Sequence, residues 1–305
     1  MIQAEKLVKR FDEYTALNGI DCRIEKGCIY GMVGSNGAGK STFLRLITGV
    51  YRPDGGRVTI DGEDVFNNPS VKNRIAFVPD DLYFVPGASM NRMAACYRRV
   101  YRDFDEKRFE YLAKSFRLDP TRPIHTFSKG MKRQAAIILA LSTRPEYMFF
   151  DETFDGLDPV MRSLVKGLIC EDVLEKQATA IITSHSLREL EDTCDQLALL
   201  HEGGVVLESD VQDLKTGLFK VQVAFLDAYD SSRFTGIDCL HYQQSGSVAN
   251  LIIRGDREET IAKMKRLQPV LLDVLPLTLE EVFTYEMKAL GYSFDDVLGK
   301  EAQSA

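Results

Sequence analysis

The sequence has no tryptophan, and its six cysteines form no C-x-x-C or other metal-binding spacing. Cys22, Cys28, Cys96, Cys170, Cys194 and Cys239 are scattered along 305 residues. That scatter argues against a zinc site and against a disulfide framework, and it predicts reduced thiols in a cytoplasmic core. Long apolar runs are missing too: none approaches the roughly 20 residues needed to span a bilayer. The opening Met1-Ile2-Gln3-Ala4-Glu5-Lys6 lacks the layout of a signal peptide. Basic charge is in deficit, with 38 Lys and Arg against 45 Asp and Glu, a net charge of −7. No nucleic-acid partner is expected, because phosphate backbones need a basic face. Any membrane contact is expected to run through another protein. The length suits one large domain and a smaller one.

One stretch organises what is present. Gly34-Ser35-Asn36-Gly37-Ala38-Gly39-Lys40-Ser41 fits G-x-x-x-x-G-K-[ST], a P-loop. Cys28 to Val33 before it reads as a buried strand, and Thr42 to Ile47 after it is apolar at helical spacing. Glycines there let backbone N–H groups close around phosphate oxygens, and the helix N-terminus adds partial positive charge. Lys40 is expected to reach the terminal phosphates, and the Ser41 hydroxyl to hold Mg²⁺.

Upstream, residues 2–8 and Asp21 to Ile24 read as strands, with Phe11 and Tyr14 in a polar stretch between them. From position alone Phe11 is a core aromatic or an adenine-stacking ring. Gly55 to Gly62 reads as turn, strand and turn. Ile75 to Pro79 is a buried strand ending in Asp80-Asp81, acids that can touch Mg²⁺ or cap the next helix. Residues 89–118 read as helical, with Met93, Tyr97, Val100 and Tyr101, then Phe109, Leu112, Ala113 and Phe116, at helical spacing. Arginines between them leave two readings open, a partner-facing insert or plain solvated faces.

Ser128-Lys129-Gly130 precedes an apolar helix from Gln134 to Leu141, with Ser128 as its N-cap. Arg144-Pro145-Glu146 ends that helix. Tyr147-Met148-Phe149-Phe150 then runs into Asp151-Glu152, the layout of a Walker B strand whose acids emerge where open α/β sheets bind ligands. Asp151 is expected to orient Mg²⁺, and Glu152 to poise the attacking water. Thr179 to Ser184 is another apolar strand, ending at His185, and Leu187 to Asp195 reads as a helix. Beyond about residue 213 the pattern becomes that of a small α+β module without a catalytic constellation.

With the P-loop, Ser128-Lys129-Gly130, Asp151-Glu152 and His185 in this order, the chain resembles the nucleotide-binding subunit of an ABC transporter over roughly residues 1–210. The resemblance implies an α/β fold: a P-loop NTPase ABC cassette with a RecA-like core, an antiparallel β subdomain and an α-helical subdomain. The expected boundaries are 1–213 for the ATP-binding domain, 214–285 for the α+β module and 286–305 for a helix end and tail. It implies ATP and Mg²⁺ as ligands. Phe11, Gly34, Ser35, Asn36, Gly37, Ala38, Gly39, Lys40, Ser41 and Thr42 would bind the nucleotide. Ser128 and Gly130 would reach the γ-phosphate held by a second subunit. Ser41, Asp80 and Asp151 would serve the metal, and Glu152 and His185 the chemistry. Asp155-Gly156-Leu157-Asp158 matches the D-loop. Lys129 and Met131 depart from the usual L-S-G-G-Q signature, Asp80 stands at the place of the Q-loop glutamine, and Thr153 replaces a proline.

The S-K-G-M signature, with the ending Leu277 to Phe283, looks like the bacterial drug, antibiotic or peptide exporter branch. The implied partners are a separate transmembrane permease and a second ATP-binding subunit, in a homo- or heterodimer. The implied location is the inner face of the cell membrane, held there through the permease. The alternative is a soluble ABC-type ATPase. The long coiled coils and second P-loop of its DNA-repair and ribosomal forms are absent from this sequence.

Overall fold

A computed structural model describes residues 1–289, 291 and 292. The tail expected toward residue 305 lies outside the described residues. The chain divides into two compact units, Met1–Glu208 and the part from Ser209 on.

The first unit opens with a long hairpin, β1 (Ile2–Phe11) and β2 (Tyr14–Ile24). Its two-residue turn places Asp12 in the left-handed region, at φ 50°. The two strands reach further than the apolar pattern predicts, so Phe11 and Tyr14 sit opposite each other at the hairpin tip. Next come β3 (Ile29–Val33), α1 (Lys40–Ile47), β4 (Gly55–Ile60), β5 (Glu63–Asp64), α2 (Pro69–Lys72) and β6 (Ile75–Val78). The expected helix over 89–118 is two helices, α3 (Met90–Val100) and α4 (Glu106–Ser115). The break has a local cause: Tyr101 leaves helical geometry, and the Asp105 side chain caps α4 by accepting from the Arg108 N–H. Then follow α5 (Lys129–Ser142), β7 (Tyr147–Asp151), α6 (Pro159–Lys176), β8 (Thr179–Ser184), α7 (Leu187–Glu191), β9 (Gln196–His201) and β10 (Gly204–Asp210). The helix expected over 187–195 therefore stops at Glu191.

Two sheets sandwich α1. The antiparallel sheet runs β2-β1-β4-β5, and the larger sheet runs β10-β9-β3-β8-β7-β6. Phe43, Leu44, Leu46 and Ile47 of α1 share one core with Ile2, Leu7 and Leu17 of the first sheet and Met32, Tyr147 and Phe149 of the second. Strands β3, β7 and β8 are parallel neighbours and buried at every residue. Such strands need cover on both faces, which explains why their sequences are continuous apolar runs rather than alternating ones. The register pairs Val33 with Ser184 and Asp151 with Thr183. The P-loop, the Asp151-Glu152 pair and His185 therefore leave the sheet at one edge, the carboxyl ends of adjacent strands.

A helical layer forms around α3, α4 and α5, with Met90, Met93, Phe109, Leu112 and Phe116 buried. Arg108 of α4 bonds Asp172 of α6 at 2.5 Å, both nearly inaccessible to solvent. No helix among the described residues is long and apolar enough to cross a membrane.

The second unit holds β11 (Leu218–Ala224), β12 (Cys239–Ser245), β13 (Val248–Arg254) and β14 (Leu271–Leu275). They form an antiparallel sheet of order β12-β13-β11-β14. Phe219, Val221 and Val223 pack with Leu251, Ile253 and Met264 on one face. Helices α8 (Val211–Gly217), α9 (Arg257–Arg266) and α10 (Leu279–Ala289) complete it. Strand β12 escaped the sequence pattern because an edge strand rich in Gln and Ser carries little apolar alternation.

Candidate nucleotide-binding site

The loop between β3 and α1 is held from two sides. Gly39 adopts φ 107°, and a Cβ there would stand 2.7 Å from Leu17 Cδ2 and 2.8 Å from the Ala16 carbonyl. A Cβ on Gly34 would stand 2.3 Å from the Leu200 carbonyl. Only glycine lets the chain pass between β2 and β9 at these points. Gly39 offers α1 no side-chain cap, so the first-turn N–H groups of the helix face the cleft without a built-in acceptor. That end of the helix suits an anion.

Lys40 is 5% exposed. Its Nζ donates to the Gly34 carbonyl at 2.6 Å and the Ser35 carbonyl at 3.2 Å, and lies 3.1 Å from Glu152 Oε1. The other oxygen of Glu152 meets His185 Nδ1 at 3.0 Å and accepts from the His185 N–H at 3.2 Å. Glu152 is itself strained, at φ 46°. Its N–H donates to the Thr183 hydroxyl, which fixes where the carboxylate emerges. Burial works against a charged imidazole at His185, but the hydrogen bond and charge of Glu152, with Asp155 and Glu189 behind, outweigh it and raise its pKa. Donor atoms of Glu152, Asp155 and His185 lie within 4.8 Å of one another.

Asp151 is fully buried. Oδ1 accepts from Ser41 Oγ at 3.0 Å and Thr183 Oγ1 at 2.8 Å, while Oδ2 is buried with no partner among the described residues. Burial raises its pKa, against the pull of those two hydroxyls. An orphaned carboxylate oxygen beside a serine hydroxyl is a donor set for a hard divalent cation, so these residues fit Mg²⁺.

A cleft of about 340 Å³ collects Phe11, Asn36, Gly37, Gly39, Lys40, Ser41, Thr42, Asp80 and Glu152, together with Tyr14 and Ala16. Phe11 is 40% exposed and meets Tyr51 edge-on. Tyr14 is more exposed still, and its hydroxyl donates to the Gly37 carbonyl at 3.2 Å. Tyr14 was not predicted as a site residue; the signal in the sequence is its pairing with Phe11 across a two-residue turn. Thr183 was missed as well, although a threonine just after the apolar Ala180-Ile181-Ile182 of β8 is the polar neighbour that Asp151 needs.

Ser128 and Gly130 lie outside this cleft. Ser128 caps α5, accepting from the Met131 N–H at 3.2 Å. Gly130 packs on the D-loop of the same chain: a Cβ there would stand 2.8 Å from the Gly156 carbonyl. Asp80, expected as a metal contact or a helix cap, caps no helix among the described residues, and the cap of α3 is Ser89. Its Oδ1 instead accepts from Arg133 Nη2 at 2.9 Å.

The ABC transporter family profile matches residues 17–155. The ABC transporter ATP-binding protein YtrB of Bacillus subtilis (strain 168) is 32% identical over 284 residues, covering 93% of this chain and 97% of its own length. The linearmycin resistance ATP-binding protein LnrL of the same organism is 31% identical over 222 residues, 70% of each chain. A solved ATP-binding subunit of an ABC transporter superposes with a TM-score of 0.66 at 25% identity, covering 70% of this chain and 92% of its own. The chain belongs to the ABC transporter ATP-binding proteins, ATPases that hydrolyse ATP to power transport.

Proposed function

We propose that two copies of this chain close head to tail over two MgATP and drive export through a separate permease. The observation that carries the reading is a split. One chain gathers a phosphate cradle, metal ligands and Glu152 at one sheet edge, while its intact Ser128 and Gly130 stand outside that cleft. Two copies supply each other's missing half, because each carries both halves.

In the closed pair, Lys40 and the α1 N-terminus neutralise phosphate charge, and Phe11 stacks on the base. Tyr14 braces the P-loop through the Gly37 carbonyl. Ser41 and Asp151 would hold Mg²⁺, which would supply charge neutralisation at the phosphates. Glu152 takes a proton from the attacking water at its carboxylate, and His185 holds that carboxylate in place. Thr183 keeps both acids in register. ATP drives closure by its higher affinity for the closed state, and hydrolysis releases it.

A groove of about 390 Å³ supports a permease partner. Pro79, Asp81, Leu82, Tyr83, Tyr97 and Tyr101 line it, with Tyr83 79% exposed. Asp80, between two of these residues, lines the nucleotide cleft. Movement at the nucleotide is thus felt in the groove through one peptide segment. Such a pair of cassettes sits on the inner face of the membrane through the permease. Export follows the likeness to LnrL, named for linearmycin resistance.

The test is ATPase activity of the purified chain against its own concentration. The turnover per chain is expected to rise with concentration and level off. A turnover independent of concentration would remove the two-copy site.

A further inference from the structure

Arg133 lies on the second turn of α5 and is 1% exposed, among the largest fully buried side chains of the molecule. Among the described residues, both of its hydrogen bonds go to Asp80: Nη2 to Oδ1 at 2.9 Å, and Nη1 to the backbone carbonyl at 3.4 Å. Its Nε has no partner among the described residues. A buried guanidinium needs its counter-charge, so this pairing is obligatory for Arg133 although the Asp80 side chain is 54% exposed. Asp80 thereby stands at a junction. It lines the nucleotide cleft, its neighbours Pro79 and Asp81 line the groove, and its carboxylate is bonded to the helix that Ser128 caps. The groove also touches Ala136, one turn further along that helix.

We propose that Arg133 is a positioning residue that binds the segment 79–84 to the start of α5 through Asp80, so that the nucleotide cleft, the groove and the Ser128–Gly130 segment shift as one body. A consequence is that the Asp80 carboxylate serves Arg133 and leaves the metal to Ser41 and Asp151. The inference rests on the proposed function, in which Ser128 and Gly130 reach the nucleotide of the second copy. Its chemistry is a charge pair that neither a glutamine at position 80 nor a neutral residue at 133 can make.

A double-mutant cycle tests it, with Asp80→Asn, Arg133→Met and the two combined. Turnover, KM for ATP and the Mg²⁺ requirement are measured. ATP-induced dimer formation is measured by sedimentation in a Glu152→Gln background. Each single variant is expected to lower turnover and weaken the ATP-induced dimer by about tenfold, with KM moving less than about twofold. The combined variant should be no worse than either single, because both remove one interaction. The Mg²⁺ concentration for half-maximal activity should stay at the wild-type value in all three. A combined loss near the product of the singles, about a hundredfold, would overturn the proposal. So would a raised Mg²⁺ requirement in Asp80→Asn alone, which would make Asp80 a metal ligand. If Arg133→Met fails to fold, Asp80→Asn still decides through the dimer and Mg²⁺ readouts, since its site is half exposed. A wild-type chain that neither hydrolyses ATP nor dimerises with it would overturn the proposed function as well. An active wild type with an unaffected Arg133→Met overturns this inference alone.

Discussion

Glu152 is both the expected water-activating group and a partner of the P-loop lysine, so Glu152→Gln should act on binding and chemistry in opposite directions. The carboxylate sits 3.1 Å from Lys40 Nζ and 3.0 Å from His185 Nδ1, with its side chain 12% exposed. At 3.1 Å and an effective dielectric of about 20, the Lys40 attraction alone is about 5 kcal/mol before desolvation is subtracted. Most of that gross figure is offset by the cost of holding both charges out of water. The net change on replacing a charged hydrogen bond by a neutral one is about 1–1.5 kcal/mol. Glutamine thus loosens the hold on Lys40, and phosphate oxygens no longer compete with a carboxylate for it. ATP should bind about tenfold more tightly to the variant. Hydrolysis should fall by about 10²–10⁴-fold with the loss of the base. Equilibrium dialysis with labelled ATP gives the first quantity, and single-turnover hydrolysis the second. Unchanged ATP affinity would show that Glu152 does not restrain Lys40, and near-normal turnover would remove Glu152 from the chemistry.

Other expectations follow from the same geometry. Lys40→Ala deletes the one side-chain cation that lines the cleft among the described residues and should weaken nucleotide binding by about a hundredfold, measured by calorimetry; unchanged affinity would refute the phosphate cradle. Gly130→Ala pushes a methyl group to 2.8 Å from the Gly156 carbonyl and should destabilise the first unit by about 1–3 kcal/mol, seen as a lower thermal midpoint. A wild-type midpoint would show that the D-loop yields freely. His185 has a folded-state pKa raised above 6.5, so its contribution to stability is complete below that value and is lost as pH rises through the folded value. The stability gap between wild type and His185→Gln should therefore be wider at acidic than at alkaline pH in urea titrations. A gap that widens toward alkaline pH would contradict the His185–Glu152 pairing.

The chemistry-bearing loops were legible in the sequence because each follows an apolar run, and buried parallel strands must be apolar along their whole length. The apolar runs alone place Gly34 to Ser41, Asp151, Glu152 and His185 at strand ends. They do not show that β3, β7 and β8 are neighbours, since strand order leaves no local mark. The hairpin tip was hidden for a different reason. Phe11 and Tyr14 are exposed on a ribbon whose polar residues imitate a loop. Arg133 was invisible because an arginine among polar residues at a helix start reads as solvated, and only tertiary packing buries it against Asp80. The split at 101–105 was masked because the residues on each side of it keep their own helical spacing, and the Asp105 cap that separates them reads as one more polar position. In the second unit, β11 announced itself by alternation, while β12 at the sheet edge did not.

The central claim is that each ATP site is made from two copies of this chain, and mixing two inactive variants tests it most directly. Lys40→Ala spoils the cradle, and Ser128→Arg spoils the segment offered to the partner. Each variant alone should be nearly inactive. In an equal mixture, half of the pairs are mixed and each mixed pair holds one complete site. About a quarter of the wild-type ATPase activity should therefore be recovered. A mixture no more active than its two components would contradict it.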